Sequence, residues 1–239
     1  MEKNVLSLCL LATLTIGANA KITQVTSGNF NSIANESCIM SYQTKYDQLL
    51  PLDVIQKHYN VPAKAKKKYV SGVMGKKYDR DTYEYVWDSK RIQKMKLMGR
   101  EMEVPSPNRI GLKWVGSTLF TIMKKATPIE SFKAFYRNTT AKEKEEAFKK
   151  AGEEMKKKGY DEKTTKTATS MAKELSSHEV VFKEIAGIGD AASWQIKNKQ
   201  LTVLVGKITF QVMVEISEND DENLTLAQKL AQEVLNKCK

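Results

Sequence analysis

From Ile208 to Ile216 two kinds of side chain alternate without interruption: Ile208, Phe210, Val212, Val214 and Ile216 interleave with Thr209, Gln211, Met213 and Glu215. A period of two places every second side chain on the same side of an extended chain, so the segment predicts a strand with one strongly apolar face. Leu201, Val203 and Val205 repeat the pattern and predict its hairpin partner, with Gly206 supplying permissive backbone between the two. Asn198 to Gln200 predict a turn back to a preceding strand that contains Trp194 and Ile196. Beyond the polar stretch Glu218 to Asn223, the residues Ala227, Leu230, Ala231, Val234, Leu235 and Cys238 recur at helical spacing. A closing amphipathic helix packed on that sheet is therefore expected.

The middle of the chain carries further local signals. Residues 69–116 alternate in Tyr83, Tyr85 and Trp87 and again in Ile110, Leu112 and Trp114, with the breaker Pro105-Ser106-Pro107 between them, and predict an antiparallel sheet. Pro51 suits a first helical position and opens a short helix through Leu52, Val54, Ile55 and Tyr59 that ends before Pro62. Thr127-Pro128-Ile129-Glu130 and Thr140-Ala141-Lys142-Glu143 are capping boxes, in which the hydroxyl accepts from an exposed backbone N–H and the glutamate returns to the cap. The second opens a Lys/Glu-rich helix over about 141–158 with a thin apolar line through Phe148, Ala151 and Met155. A further helix over about 162–175 follows, with Met171 and Leu175 at i,i+4. Residues 21–46 are polar and aperiodic, an arm until Cys38 ties it down. Together these signals predict one α+β domain over residues 21–239, an antiparallel sheet packed by helices, with a charged helical insertion at about 127–176.

Residues 1–20 read as a cleavable secretory signal: Glu2 and Lys3, an apolar run from Val5 to Gly17, then Ala18-Asn19-Ala20. The run is shorter than the roughly 20 residues that cross a hydrocarbon core, and Cys9 lies inside it rather than at the cleavage point, so no transmembrane or lipid anchor is expected in the mature chain. Removal of the signal leaves two cysteines, Cys38 and Cys238, which an oxidising compartment is expected to join. The formal net charge of +11 is concentrated, since residues 63–100 hold twelve Lys or Arg against four Asp or Glu.

Residues 185–214, IAGIGDAASWQIKNKQLTVLVGKITFQVMV, contain Gly-x-Gly-Asp-x-Ala-x-Trp followed by a hairpin and a helix. This pattern resembles that of exported bacterial proteins of unknown function with a PsbP-like α/β/α sandwich, and Leu49 to Val61 is similar to the helix that opens such domains. The resemblance covers under half of the mature chain. It implies the sandwich topology and a noncatalytic binding or accessory module, and it names no ligand. The segment at 127–176 departs from the simple pattern.

No complete catalytic set is visible. Gly187-Ile188-Gly189-Asp190 lacks the third glycine of a dinucleotide loop and precedes strands, which fits a tight entry into a strand. The two histidines, His58 and His178, have no HExxH or paired-cysteine spacing, so neither a metal nor a cofactor is expected. Three Asn-x-Ser/Thr sequons, at Asn35, Asn138 and Asn223, would be glycan acceptors only in a eukaryotic secretory route. The basic segment is the candidate surface. Lys66, Lys67, Lys68, Arg91 and Lys94 are assigned to polyanion contact and Tyr85 and Trp87 to stacking, against the plainer alternative of a solvated sheet rim over an aromatic core. The reading that results is an exported, soluble, noncatalytic binding or accessory protein of the bacterial envelope. Its partner would be an anionic envelope polymer, a lipid headgroup or an acidic protein rather than nucleic acid. The competing reading is an envelope hydrolase whose catalytic residues meet only in the fold.

Overall fold

Seven strands form one sheet in the order β1-β2-β5-β9-β8-β7-β6. They are β1 (Lys66–Val70), β2 (Thr82–Trp87), β5 (Asn108–Thr118), β6 (Phe182–Ile185), β7 (Ala191–Gln195), β8 (Gln200–Val205) and β9 (Ile208–Glu215); every adjacent pair is antiparallel. A computed structural model describes residues 35–72, 80–97, 100–118, 126–176 and 180–239. The signal segment, Lys76, Lys77, Tyr78 and His178 lie outside the described residues, as do the side chains of Lys96, Arg100 and Leu175. The strands β3 (Ile92–Leu97) and β4 (Arg100–Pro105) pair only with each other, as a ribbon separate from the main sheet. The architecture is α+β. No helix among the described residues is long and apolar enough to cross a membrane.

The first face of the sheet carries the main core. Tyr83, Tyr85, Ile110, Leu112, Leu201, Val203, Phe210, Val212 and Val214 are buried there against helix α7 (Asp220–Lys237), which contributes Leu224, Ala227, Leu230, Ala231, Val234 and Leu235. The helical spacing read from the sequence is the buried stripe of α7, although the helix starts earlier than the apolar residues indicate because Asn219 caps it, its side-chain oxygen accepting from the Asp221 N–H. Three short helices, α1 (Glu36–Met40), α2 (Tyr46–Leu49) and α3 (Leu52–Gln56), extend the same cluster through Ile39, Tyr46, Leu49 and Ile55. From Asn35 onward the segment read as an arm is therefore packed: Ile39 and Tyr46 are fully buried, a burial that no periodicity in so short a stretch announces. Pro51 stands one residue earlier than expected, as the N-cap of α3.

β9 has the strongly apolar face expected of it, and its other face, read from the sequence as the polar one, is buried too. Thr209, Gln211 and Met213 are buried as well as Phe210 and Val212, because the second face is also covered around β7 to β9. Helix α4 (Pro128–Phe135) lies there, with Phe132 buried against Tyr136 and the Tyr136 ring meeting Phe182 edge-on at 5.8 Å. The Asn138 side chain takes the place of a strand beside β6: its Oδ1 accepts from Phe182 N at 2.7 Å and its Nδ2 donates to Phe182 O at 3.0 Å. Helices α5 (Ala141–Lys157) and α6 (Glu162–Ser176) pack on each other, and Met155 is buried in α5, which is largely charged and solvated.

Both capping boxes form. Glu130 and Glu143 each return to the backbone N–H of the cap threonine, at 2.7 and 2.8 Å, while the threonine hydroxyl accepts from the glutamate N–H. Arg137 also donates to both carboxylate oxygens of Glu143, and this contact followed by the Thr140 N–H holds the Glu143 carboxyl down at about 2. A carboxylate held low in the folded state stabilises above its unfolded pKa and loses that contribution as pH falls through the folded value. The start of α5 is therefore expected to fray between pH 4.5 and about 2, read as a loss of helical circular dichroism that Glu143→Gln, which has no carboxyl to titrate, removes.

Cys38 and Cys238 are joined by a disulfide, with Cα atoms 5.5 Å apart across 200 residues of sequence. The bond ties α1 to the end of α7, where Asn35 N also donates to Cys238 O at 2.7 Å. Closing a loop of this length removes about 5 kcal/mol of unfolded-state freedom in the chain-entropy model. Reduction, or replacement of both cysteines by serine, is expected to lower the free energy of urea unfolding by an amount of that order.

Candidate anion-binding face

The glycine-aspartate motif is occupied with holding the fold. Gly189 has φ +59 and a Cβ there would stand 2.5 Å from Leu204 O, so the chain can pass β8 only with glycine. Asp190 Oδ2 accepts from Gly206 N at 2.6 Å and closes the turn between β8 and β9. Trp194 is fully buried, and its Nε1 donates to both carboxylate oxygens of Asp220 at 3.0 and 3.1 Å; Lys199 Nζ reaches the same carboxylate at 2.7 Å. The aspartate and tryptophan of the motif thus fix the hairpin and the first turn of α7.

The register of β1, β2, β5 and β9 sets out the second face as three rows. Lys66, Val86, Arg109 and Glu215 lie opposite one another in the first; Lys68, Glu84, Gly111 and Met213 in the second; Val70, Thr82, Lys113 and Gln211 in the third. Strand spacing of about 4.8 Å and about 7 Å between alternate residues make this a shallow array of cations. Lys66 and Lys68 are exposed, Lys113 is half-buried, and none of the three has an ion pair among the described residues. Burial holds the Lys113 ammonium below the ordinary lysine range, opposed by Glu84, which sits diagonally across from it, and reinforced by Arg109. Arg109 is engaged with Glu215, its Nε lying 3.1 Å from Oε2 without hydrogen-bond alignment. The face therefore presents Lys66, Lys68 and Lys113 around the single carboxylate of Glu84.

The residues selected from sequence do not form one surface. Lys67 points to the opposite side from Lys66 and Lys68, donates to Asp47 Oδ2 at 2.9 Å and stands 5.6 Å over the Tyr83 ring; the Asp47 hydrogen bond raises its pKa. Arg91 is an internal brace. Its Nη2 donates to Pro107 O, Asn108 Oδ1 and Glu215 O at 3.0–3.1 Å, which fixes the base of the β3–β4 ribbon to β9. Ser106 strengthens that base by donating to Glu215 Oε1 at 2.7 Å. Lys94 lies out on the ribbon, 3.7 Å from Glu101, with both side chains 68% exposed. Tyr85 and Trp87 are turned into the core, at 8% and 7% exposure, where Tyr85 accepts from the Tyr83 hydroxyl and Trp87 meets Tyr59. In this fold neither ring offers a face for stacking. Lys113 is not among the cations selected from sequence, although its place between Leu112 and Trp114 puts it on the polar phase of the Ile110-Leu112-Trp114 alternation.

The histidine and sequon sites also resolve. His58 Nε2 and Glu233 Oε1 are 2.8 Å apart, a tie between α3 and α7 beside an open groove of about 410 Å³. Thr225 and Asn219 line that groove, and among the described residues no serine or cysteine does. Asn223 is fully buried, its side chain bonding Ile216 N, Ser217 O and Asn219 O, so this sequon cannot accept a glycan in the folded chain. Among the described residues no group of His, Cys, Asp and Glu could hold a metal ion.

Since Asp220 is the acceptor for a buried indole N–H, Asp220→Ala is expected to cost about 1–3 kcal/mol in chemical denaturation, with a change in Trp194 near-UV dichroism. Compared with known protein families, curated proteins and solved structures, the chain matches none.

Proposed function

We propose that the chain is an exported, noncatalytic binding or accessory protein of the bacterial envelope. In this reading it is built on a PsbP-like sandwich with a charged helical insertion, and it takes an anionic ligand on the second face of β1, β2 and β5. The observation that carries the proposal is the grouping of Lys66, Lys68 and Lys113, without ion pairs among the described residues, on one open sheet face. Three lysines around one carboxylate leave a net positive face for an incoming anion, whereas Lys67 and Arg91 are each bonded to acceptors of the chain itself. Export is supported by the signal-like start of the sequence and by a disulfide of a kind that persists in oxidising compartments. The His58–Glu233 pair serves here as a structural tie rather than as part of a hydrolytic set.

Dextran sulfate is a suitable first probe. Titration calorimetry is expected to give binding that weakens about tenfold or more between 50 and 300 mM salt, because the screening length of exposed charges falls from about 14 Å to about 6 Å over that range. Lys66→Glu with Lys68→Glu should weaken it further, and Lys94→Glu should leave it nearly unchanged. Binding that ignores both salt and the double reversal would remove the mechanism.

A further inference from the structure

Beside the lysine face, the sheet ends in an exposed apolar tip. Tyr69, Val70 and Trp114 are 37%, 54% and 40% exposed. They converge on Asp81: the Tyr69 hydroxyl donates to Asp81 Oδ2 at 2.8 Å, Trp114 N donates to Asp81 O at 3.0 Å, and Val70 lies opposite Thr82. Asp81 itself is buried and also accepts from Gly72 N, so the tip has a fixed base. Trp114 has φ +52, a conformation that bulky residues seldom take, at the irregularity where β5 loses register with β9 between Lys113 and Ser117. The bulge is held from behind by Val115 N donating to the Tyr46 hydroxyl. Lys113 adjoins Trp114, exposed Arg80 adjoins Asp81, and Lys66 and Lys68 lie along the same strand as Val70.

An aliphatic side chain adds nothing to stacking on a sugar ring, and a soluble polyanion has no use for an apolar tip. An aromatic and aliphatic tip with cations set behind it matches the layering of an anionic bilayer, in which indole and phenol rings occupy the headgroup boundary and lysines meet phosphates. We propose that the anionic partner is a phosphate-bearing lipid surface, met edge-on, with Val70 and Trp114 entering the headgroup boundary and Lys66, Lys68, Lys113 and Arg80 contacting headgroups. The proposal rests on the anionic-ligand reading above and adds the identity of the ligand.

The test uses the processed chain recovered from an exporting host, its N-terminus read by mass, with vesicles of phosphatidylcholine alone or mixed 3:1 with phosphatidylglycerol. Trp87 and Trp194 are buried, so Trp114 is the exposed indole among the three tryptophans and dominates any change in emission. The expected result is binding to mixed vesicles only, a blue shift, and quenching by brominated phosphatidylglycerol. Val70→Asp, checked for folding by circular dichroism, should weaken binding about tenfold, and Lys66→Glu with Lys68→Glu should do so by at least as much. Binding without blue shift or quenching in the unaltered chain would overturn the tip's role and leave the anionic face standing. Binding to dextran sulfate with indifference to vesicles would overturn the lipid assignment alone. Indifference to both probes would remove this proposal and the parent reading together.

Discussion

The pairing of β5 with β9 is the contact on which the rest of the molecule depends. It joins the strands before the helical segment, β1, β2 and β5, to the strands after it, β9, β8, β7 and β6, and it does so between residues about a hundred positions apart, as in Ile110 opposite Val214. Each half alone would be a small antiparallel sheet with its centre exposed as an edge. Joined, they bury Ile110, Leu112, Phe210, Val212 and Val214 under α7. Such non-local pairing is costly in chain entropy before it is rewarded, so the fold is expected to form slowly relative to its helices. The Cys38–Cys238 bond joins α1 to the end of α7 and so holds the two ends of the described chain together.

The same join explains why the two faces differ. The first is a continuous apolar layer under α1, α2, α3 and α7. The second changes character along the sheet: around β7, β8 and β9 it is covered and carries buried Ser193, Thr202, Thr209 and Gln211, and toward β1 it opens into lysines and Glu84. Tyr136, whose hydroxyl meets Thr202 and Gln211 and whose pKa burial drives up, lies over the covered half. Glu215 stands at the boundary, where Arg91, Ser106 and Arg109 converge on it and couple the β3–β4 ribbon to the sheet.

How much of this could be read in the sequence varies with the range of the interaction. The capping boxes at Thr127 and Thr140 are complete within four residues, and they form as written. The alternation from Ile208 to Ile216 gave β9 and its hairpin, because strand period is local; the cover on its other face depends on Phe132 and Tyr136, some 80 residues away, and left no mark in that alternation. Three consecutive lysines could not reveal that the middle one lies on the Tyr83 side of the sheet and pairs with Asp47, since the phase of β1 is set by Tyr83 and Tyr85 on the next strand. Arg91 looked like a surface cation because its carbonyl acceptor at Glu215 lies 124 residues downstream. The aromatic alternation in Tyr83, Tyr85 and Trp87 identified the strand correctly while leaving undecided which of its sides would meet water.

The two edges of the sheet are guarded in different ways. At β6 the Asn138 amide satisfies both the N–H and the C=O of Phe182, so that part of the edge is chemically saturated whatever the surroundings. At β1 the guard is the charge of Lys66 and Lys68, which deters another strand by repulsion. Repulsion of this kind is lent by the medium: counterions or a bound anion that neutralise the lysines also uncover a five-residue strand able to pair. Of the two edges, the β1 edge is thus the one whose protection depends on charge, and the β6 edge at Phe182 the one whose protection does not.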